Sequence, residues 1–484
     1  MVPTGISKFI LELEERFPVD TWKINGIDIW PIIRVKIQTK INISINTKFT
    51  RKPASYGGYS NYGFFQKIIR VFSSLSKINS LNKADFIGTS NFSHRSVYKN
   101  EYYNKFYDPI LDRVNSNGLI IEHNSKEFYS DYPIHNSSKV MFFEDLFYYR
   151  YFINSVLRKL KLYKPIKKIE LKGYSDFLKE LGTIKELNGL ADEFELKKME
   201  YLLFNLLTYK RVYSKIIKKT KPDYVFEICH YNVNSIALTI AANELGVPSV
   251  EIQHGGQPTV HMAYGVWTKV PDSGYNTIPE IYWNWDQESK ENLDQWVSNN
   301  RHHKTIVLGN PWIDYFKSQL SNEEKKYVLY SLQPISFELI FPPYLVDFIK
   351  NNPEYKWWMR IHPTDINRKQ DYLDFFNKNK IEDLVIFDDG SKLSLPETLS
   401  QSKLHITYSS GTLMEAAELG IKTIVLDTEN AKNYFESYIE KGEAFAMNSD
   451  FGTLFNQVIS LKSKTKISTK DFNSCFEELD KLKN

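Results

Sequence analysis

Residues 404–427, LHITYSSGTLMEAAELGIKTIVLD, constrain the fold more than any other stretch of the chain. Leu404, Ile406 and Thr407 form a β-type run, Ser409-Ser410-Gly411-Thr412 a small-residue turn, and Leu413 to Leu419 has helical spacing. Gly420 stops the helix, and Thr423 to Leu426 reads as a buried strand. Such a unit aims backbone N–H groups and the positive end of a helix dipole at whatever sits above the turn, and phosphate is the natural occupant. Ser409, Ser410 and Thr412 add hydroxyl donors, and Glu415 in the first helical turn is positioned to accept from a ribose hydroxyl. Upstream, WWMRIHP (Trp357 to Pro363) reads as a strand ending at His362-Pro363. Arg360, two residues before His362, brings a cation to the same crevice. Serine-glycine turns open helices throughout α/β proteins, and a histidine before proline is commonly a loop residue. On consecutive units of one sheet, the pieces together indicate a nucleotide phosphate site.

At 484 residues the chain exceeds one ordinary core, so two domains, with three as the alternative, are expected. Hydrophobic content of 42% and charged content of 25% are those of a globular protein. Aromatics at 15% suit a sugar ligand as well as they suit large aromatic cores. A net charge of +4 makes no global demand for nucleic acid, and no nucleic-acid module is visible. Cys229 and Cys475 lie far apart without metal spacing, and Glu12, Glu14 and Glu15 interrupt the first apolar pattern, which argues against a signal peptide. No window approaches the roughly 20 apolar residues of a membrane span. A cytoplasmic protein, peripheral to the membrane if it meets one, is the expectation.

The chain opens with an amphipathic helix (Ile6 to Phe17), a tight turn at Asn25-Gly26 and a second helix entered through Trp30-Pro31. Residues 51–63, rich in Gly, Ser and Tyr, read as a loop, with an acceptor-covering lid as the sharper alternative. The first α/β unit begins at Ala84, where DFIGTS leaves through Gly88 into a polar loop, NFSHRS. His94, Arg95 and Asp108 fall on the exits of these elements, where an open parallel sheet lines its ligand crevice; solvated loop charges are the plainer reading. Residues 141–220 read as helical, with a basic run of Arg158, Lys159, Lys161, Lys164, Lys167, Lys168 and Lys172. A solvated helix face is the usual explanation of such a run, and docking onto an anionic leaflet, at about 1 kcal/mol per basic residue, the sharper one.

The clearest unit of the first half runs from Pro222 to Pro258: the strand DYVFEICH, a helix closed by Gly246, and PSVEIQHGG. The pairs Glu227/His230 and Glu251/His254 therefore fall near the ends of neighbouring strands, a setting for an acid/base group. His254, before Gly255-Gly256, is the favoured position. A Trp- and Tyr-rich region follows, then LGNPWID, whose Gly309-Asn310-Pro311 reads as a hinge, and Tyr327 opens a fresh strand.

Two α/β halves, QHGG at a strand end, the GNP hinge, R-x-HP and YSSGTLMEAAELG together resemble a GT-B glycosyltransferase over roughly residues 84–460. His362-Pro363 and Ser409-Ser410 resemble motifs of sialyltransferases, capsule Kdo transferases and CDP-glycerol transferases, which use cytidine nucleotides. Trp22, Trp30, Pro31, Arg34, VEIQHG, Trp267 to Pro271 and GNPW resemble proteins of bacterial capsule and O-antigen clusters. In the sialyltransferases an acidic-acidic-Gly motif precedes HP and supplies the base; here Asp388-Asp389-Gly390 follows it, so the base is expected from the first half.

The resemblance implies two Rossmann-like domains facing each other across a cleft. Residues 1–311 would form an acceptor-side domain with a helical insertion at about 141–220. Residues 312–484 would bind the nucleotide-sugar, with the last helix free to pack back on the first domain. The implied activity is metal-independent transfer of a nonulosonic or Kdo-like sugar from a CMP-linked donor onto a lipid-linked or oligosaccharide acceptor of a surface polysaccharide. A UDP-hexosyltransferase or a nucleotide-sugar 2-epimerase is the alternative. Arg360, His362, Pro363, Ser409, Ser410, Gly411, Thr412 and Glu415 would hold the donor. His254, Glu251 and Asp108 would be catalytic, and His94, Arg95 and Trp267 would meet the acceptor. No cofactor, metal or nucleic acid is implied, and peripheral contact with an anionic membrane rests on the sharper reading of the basic run. Replacing His362 by Ala is expected to remove most turnover and leave the fold intact; wild-type-like rates would refute the assignment.

Overall fold

In the first half, a strand that must be apolar on both faces alternates with helices, and the result is a seven-stranded parallel sheet. The computed structural model describes residues 3–45, 64–114, 116–124, 126–160, 171–184, 189–317, 325–388, 393–447, 450–461 and 473–483. The sheet strands of the first lobe are β1 (Phe86–Ser90), β2 (Gly118–Glu122), β3 (Val140–Phe142), β4 (Tyr224–Glu227), β5 (Ser249–Ile252), β6 (Ile281–Asn284) and β7 (Lys304–Val307). Those of the second lobe are β8 (Tyr327–Ser331), β9 (Lys356–Arg360), β10 (Val385–Asp388), β11 (Ser402–Thr407), β12 (Thr423–Val425) and β13 (Ala444–Ala446).

The spatial order is β7-β6-β5-β4-β1-β2-β3 in the first sheet and β10-β9-β8-β11-β12-β13 in the second, every pairing parallel. Read from the first strand of each lobe, both follow the doubly wound order 3-2-1-4-5-6, the first with an added seventh strand. β1, β2, β4, β5 and β6 are buried along their whole length, as parallel strands covered on both faces must be. The two Rossmann-like lobes of the GT-B plan are thus present. In such sheets the order reverses between the first and fourth strands, so β1/β4 and β8/β11 are where a ligand crevice opens beyond the carboxyl ends.

Two local expectations are corrected. Gly88 lies inside β1, not at its exit: a Cβ there would stand 2.7 Å from the Tyr107 ring, so glycine lets the ring cross the strand and donate its hydroxyl to the Thr89 carbonyl at 2.9 Å. The expected loop after it is a short 3-10 turn (Phe92–His94) and an antiparallel hairpin, Arg95–Tyr98 with Glu101–Asn104. Lys99 and Asn100 at its tip both have positive φ, 50° and 62°, as a two-residue hairpin turn that follows the strand twist requires. Tyr98 and Tyr103 of this hairpin pack with Trp312, Leu329, Trp358 and Ala416, so an arm of the first lobe is embedded in the second. The helix Asn473–Asp480 lies back on the first lobe, with Phe476 against Phe86 and Phe226 and Asp480 accepting from the Tyr224 hydroxyl at 2.7 Å. The described residues between β3 and β4 are mainly helical. Most of the basic run, the loop at 51–63 and Asp389-Gly390 lie outside the described residues.

The helices Pro3–Arg16 and Trp30–Ile45 clamp the loop after β5 through a buried ion pair. Arg34 and Glu14, both without solvent exposure, meet at 3.1 Å. Glu14 also accepts from Trp30 Nε1 at 2.9 Å and from the amide and hydroxyl of Thr268 at 2.8 and 2.9 Å. The Arg34 guanidinium lies 3.8 Å from the Trp267 ring centroid and donates to the Val266 carbonyl. Removing one member of such a pair strands the other charge in the interior. Arg34→Ala is therefore expected to lower stability by about 3–5 kcal/mol. Urea denaturation measures it, and a loss below about 1 kcal/mol would contradict the buried pairing.

Candidate active site between the lobes

β4 and β5 pair in register, Glu227 opposite Glu251, so two carboxyls start on one face of the sheet and must find different partners. Glu227 is wholly buried and accepts from Thr239 Oγ1 at 2.7 Å. Burial pushes its carboxyl well above the ordinary range, and the Thr239 bond only partly opposes this. Glu251 collects donors instead: the amides of Cys229 and His230 at 3.1 and 3.2 Å, His230 Nδ1 at 2.7 Å and the Tyr264 hydroxyl at 2.7 Å. Burial alone would raise Glu251, but His230, His254 and Tyr264 hold it below the usual carboxylate range. The expected pairing of Glu227 with His230 is therefore corrected, for both histidines face Glu251. His254 Nδ1 stands 3.8 Å from Glu251 Oε1, too long for a hydrogen bond, and that nitrogen is shielded from water without a hydrogen-bond partner. Burial, stronger than the pull of Glu251, keeps the His254 imidazole neutral.

The loop that carries His254 is fixed from behind. Gln253 donates to the Gly255 carbonyl and to Ser289 Oγ, both at 2.9 Å, and accepts from the Trp285 amide at 2.7 Å. Gly256 faces the second lobe so closely that a Cβ would lie 3.8 Å from Met414 Sδ. The QHGG loop and the Ser409–Thr412 turn thus confront each other across the gap.

On the far side, the Ser409–Thr412 turn is held by the exit of β8. Gln333 Oε1 accepts from the Ser409 amide at 2.6 Å and its Nε2 donates to the Ser409 carbonyl at 3.0 Å. Ser410 Oγ accepts from the Thr412 amide at 3.3 Å. Thr412 Oγ1 is buried without a partner. A buried unsatisfied polar atom costs about 1–3 kcal/mol, so His254 Nδ1 and Thr412 Oγ1 are each arguments for a ligand. Gly420, at φ +73°, follows the helix Thr412–Glu418 in a left-handed conformation, at the stop expected there.

Charges from both lobes meet here. Lys105 leaves the hairpin with its amide bonded to the His94 carbonyl at 2.9 Å. Its ammonium is lowered by burial, steadied by Glu415 and opposed by Arg360 of the second lobe. Glu415, raised by burial, is in turn held down by Lys105 and Arg360. Arg360 is anchored by donation to the Leu393 carbonyl at 2.7 Å. His94, lowered well below its ordinary range by burial and then by Lys105 and His254, is a second neutral imidazole; its ring rests edge-on against Phe106. Beside this crevice an interlobe groove of about 190 Å³ is lined by Gly256, Gln257 and Glu288 on one side and Met414, Tyr434 and Tyr438 on the other.

His94, His254, Glu251, Arg360, Glu415 and the Ser409–Thr412 turn are thus gathered at or beside one crevice. His362 follows β9 at the same sheet end, its carbonyl accepting from the Asp365 amide at 2.8 Å, whereas the Pro363 side chain lies outside the described residues. Three others are engaged elsewhere. Arg95, buried, bonds Glu122 at 3.0 Å and the Tyr102 carbonyl. Asp108 accepts from the Asn104 amide at 2.5 Å and lies 3.7 Å from Arg95; burial pushes its carboxyl up to about 6. Trp267 is part of the Arg34 clamp and 5% exposed. Lys105, Tyr264 and Gln333 were missed by sequence reasoning. A lysine between an asparagine and a phenylalanine carries no motif, and only the hairpin that returns it to the exit of β1 reveals its place.

No family model and no curated protein matches the chain. Among solved structures, the chain is similar to UDP-GlcNAc 2-epimerase of Methanocaldococcus jannaschii in complex with UDP-GlcNAc and UDP, at 15% identity and TM-score 0.47, over 82% of this chain and 99% of that one. UDP-GlcNAc 2-epimerase from Neisseria meningitidis bound to UDP-GlcNAc matches at 14% and 0.42, over 82% and 99%. The glycotransferase of kitacinnamycin matches at 10% and 0.40, over 82% and 96%. At such identities and TM-scores the likeness carries no weight for the chemistry of this chain.

The hairpin that presents Lys105 is pinned by His135, whose Nδ1 meets Glu101 at 2.5 Å and whose Nε2 meets Asp112 at 2.9 Å. The Asp112 bond, aided by Glu101, pushes His135 up to about 9 from an ordinary 6.5. Because the folded value is the higher one, this stabilisation is complete below pH 6.5 and disappears as pH rises through about 9. His135→Gln is expected to cost about 1–2 kcal/mol at pH 6 and almost nothing at pH 10, discounted for its partial exposure. Denaturation at the two pH values checks it; equal losses would contradict the assignment.

Proposed function

We propose that the chain is an enzyme acting on a nucleotide-activated sugar, whose glycosyl–phosphate bond breaks in the crevice between the lobes. One observation carries this reading: Lys105 of the first lobe and Arg360 of the second both lie within electrostatic reach of one carboxyl, Glu415, in the helix opened by a serine-threonine turn with an unmet hydroxyl. Two cations held at one point by separate lobes suit an oxyanion that gains charge as the bond breaks. At an effective dielectric of 20, a unit charge 4 Å away is worth about 4 kcal/mol. Leaving-group stabilisation of this kind requires no metal from the donor set. His254, neutral over the ionised Glu251, would move the proton, since an imidazole backed by a carboxylate can take up a proton and return it.

Two fates are open to the sugar. Epimerisation at C2 needs only the crevice. A base removes the C2 proton as the C1–O bond breaks toward the phosphate, and re-addition with protonation from the opposite face restores the nucleotide-sugar with C2 inverted. The neutral imidazole of His254, with an unmet Nδ1, favours this fate, whereas both ring nitrogens of His94 are met by Asn91 at 3.3 and 3.2 Å. Transfer to a polysaccharide acceptor, with a CMP-linked nonulosonic acid as donor, is the second reading. It needs an acceptor subsite other than Arg95, Asp108 and Trp267, which are buried and engaged with other residues.

Incubation with UDP-, CMP- and GDP-sugars, without acceptor, is the test. Conversion of a UDP-sugar into its 2-epimer establishes the first fate; slow hydrolysis accelerated by an acceptor glycan establishes the second. Binding of none of UDP, CMP and GDP in a thermal-shift screen would overturn the nucleotide-sugar reading itself. Lys105→Ala is expected to lower kcat/KM by about 10²–10³ without changing the melting temperature. A loss below about tenfold would remove Lys105 from the leaving-group site.

A further inference from the structure

The interlobe groove beside the crevice suits something smaller and less charged than a nucleotide. Its volume of about 190 Å³ falls below the roughly 300–1,000 Å³ that encloses a drug-sized ligand, which leaves room for a single sugar ring. Among the described residues that line it, Glu288, Glu436 and Glu440 are acidic and none is basic, a setting that turns phosphate and carboxylate groups away. Lys441, outside the groove, pairs with Glu288 at 2.8 Å and ties the two lobes at the rim. The groove also stands apart from the cations of the crevice. Met414 lines it, whereas Glu415, about 100° further round the same helix, interacts with Lys105 and Arg360. Two observations indicate a ligand. Ser437 Oγ, in the wall of the second lobe, is shielded from water without a hydrogen-bond partner, a cost that a bound hydroxyl would remove. Gly256, in the facing wall, has no left-handed backbone, and a Cβ there would meet Met414 Sδ and Pro258 Cδ at 3.8 Å, an ordinary contact. The fold therefore has no need of glycine at this point, and the bare backbone leaves the wall open to a close neighbour.

We infer that this groove holds one uncharged sugar ring and offers it to the crevice as an acceptor, an inference that rests on the nucleotide-sugar reading above. The hydroxyls of a sugar match the Ser437 hydroxyl and the amides of Asn292 and Asn433, and Tyr434 and Tyr438 offer ring faces to its apolar side. Gly256 lies two residues beyond His254, so one loop serves both the groove and the proton-handling imidazole. In the transfer, an acceptor hydroxyl oxygen bonds to C1 of the donor sugar as the C1–O bond to phosphate breaks. The electron pair of that bond stays on the phosphate oxygen, and the hydroxyl proton passes to the His254 imidazole.

Saturation-transfer NMR on the full chain tests the assignment, with methyl glycosides of glucose, galactose, mannose and N-acetylglucosamine as probes and glucuronate and glucose 6-phosphate as charged controls. At least one uncharged glycoside is expected to bind, and neither control. Ser437→Ala and Gly256→Val are each expected to weaken that binding by about tenfold. Ser437→Ala deletes an unmet hydroxyl, so its melting temperature should not fall, as it would for a hydroxyl that serves the fold. No glycoside binding, equal binding of the charged controls, or binding indifferent to both variants would overturn the groove assignment and leave the nucleotide-sugar reading standing. Glycoside binding by a chain that takes up none of UDP, CMP and GDP would overturn the acceptor role together with that reading.

Discussion

The Glu251 carboxylate is the point on which the first lobe's half of the crevice depends. An ionised group in the interior is tolerable only when its lone pairs are met, and four donors from two separate segments meet this one. Those donors fix the exit of β4, the ring of His230 and the loop bearing Tyr264. The Glu14–Arg34 pair acts one layer out: through Thr268, Val266 and Trp267 it holds the same loop against the N-terminal helices. His254 is then left over a negative charge it does not directly bond. The setting of His254 thus derives from packing tens of residues away.

The second lobe offers a different kind of order. Gln333, at the exit of β8, grips both sides of the Ser409 peptide and so sets the turn that opens the helix Thr412–Glu418. The hairpin after β1 reaches across, and its tyrosines lodge beside Trp312 and Trp358. This embedded arm makes the crevice a joint product of two lobes. Lys105, at the base of the arm, is held within electrostatic range of Glu415 and Arg360 by aromatic packing, whereas attraction between exposed charges alone is worth little.

The fold was largely legible in the sequence. Apolar runs closed by Gly246 and Gly420, and small-residue turns at strand ends, announce parallel α/β units, because strands covered on both faces leave no alternation to misread. The Ser409–Thr412 turn and the QHGG loop were legible as strand-end loops for the same reason. The hairpin at 95–104 was not. Its tyrosines read equally as helix, strand or loop, and its pairing became definite only against Trp312 and Ile134. The roles of Arg95, Asp108 and Trp267 were also hidden, since a charged or aromatic residue has the same letter whether it faces a ligand or a buried counter-charge.

By itself, then, the sequence determined the class of fold, its two parallel sheets and the loops that leave their carboxyl ends, because local periodicity and turn chemistry suffice for these. Tertiary structure decided which side chains share the crevice. Whether Glu227 or Glu251 keeps its charge turns on a hydroxyl from Tyr264 and an imidazole from His230, and which basic residue joins Arg360 at Glu415 turns on where a hairpin folds back. Such choices depend on distances between segments far apart in the chain, and spacing along the chain carries no record of them.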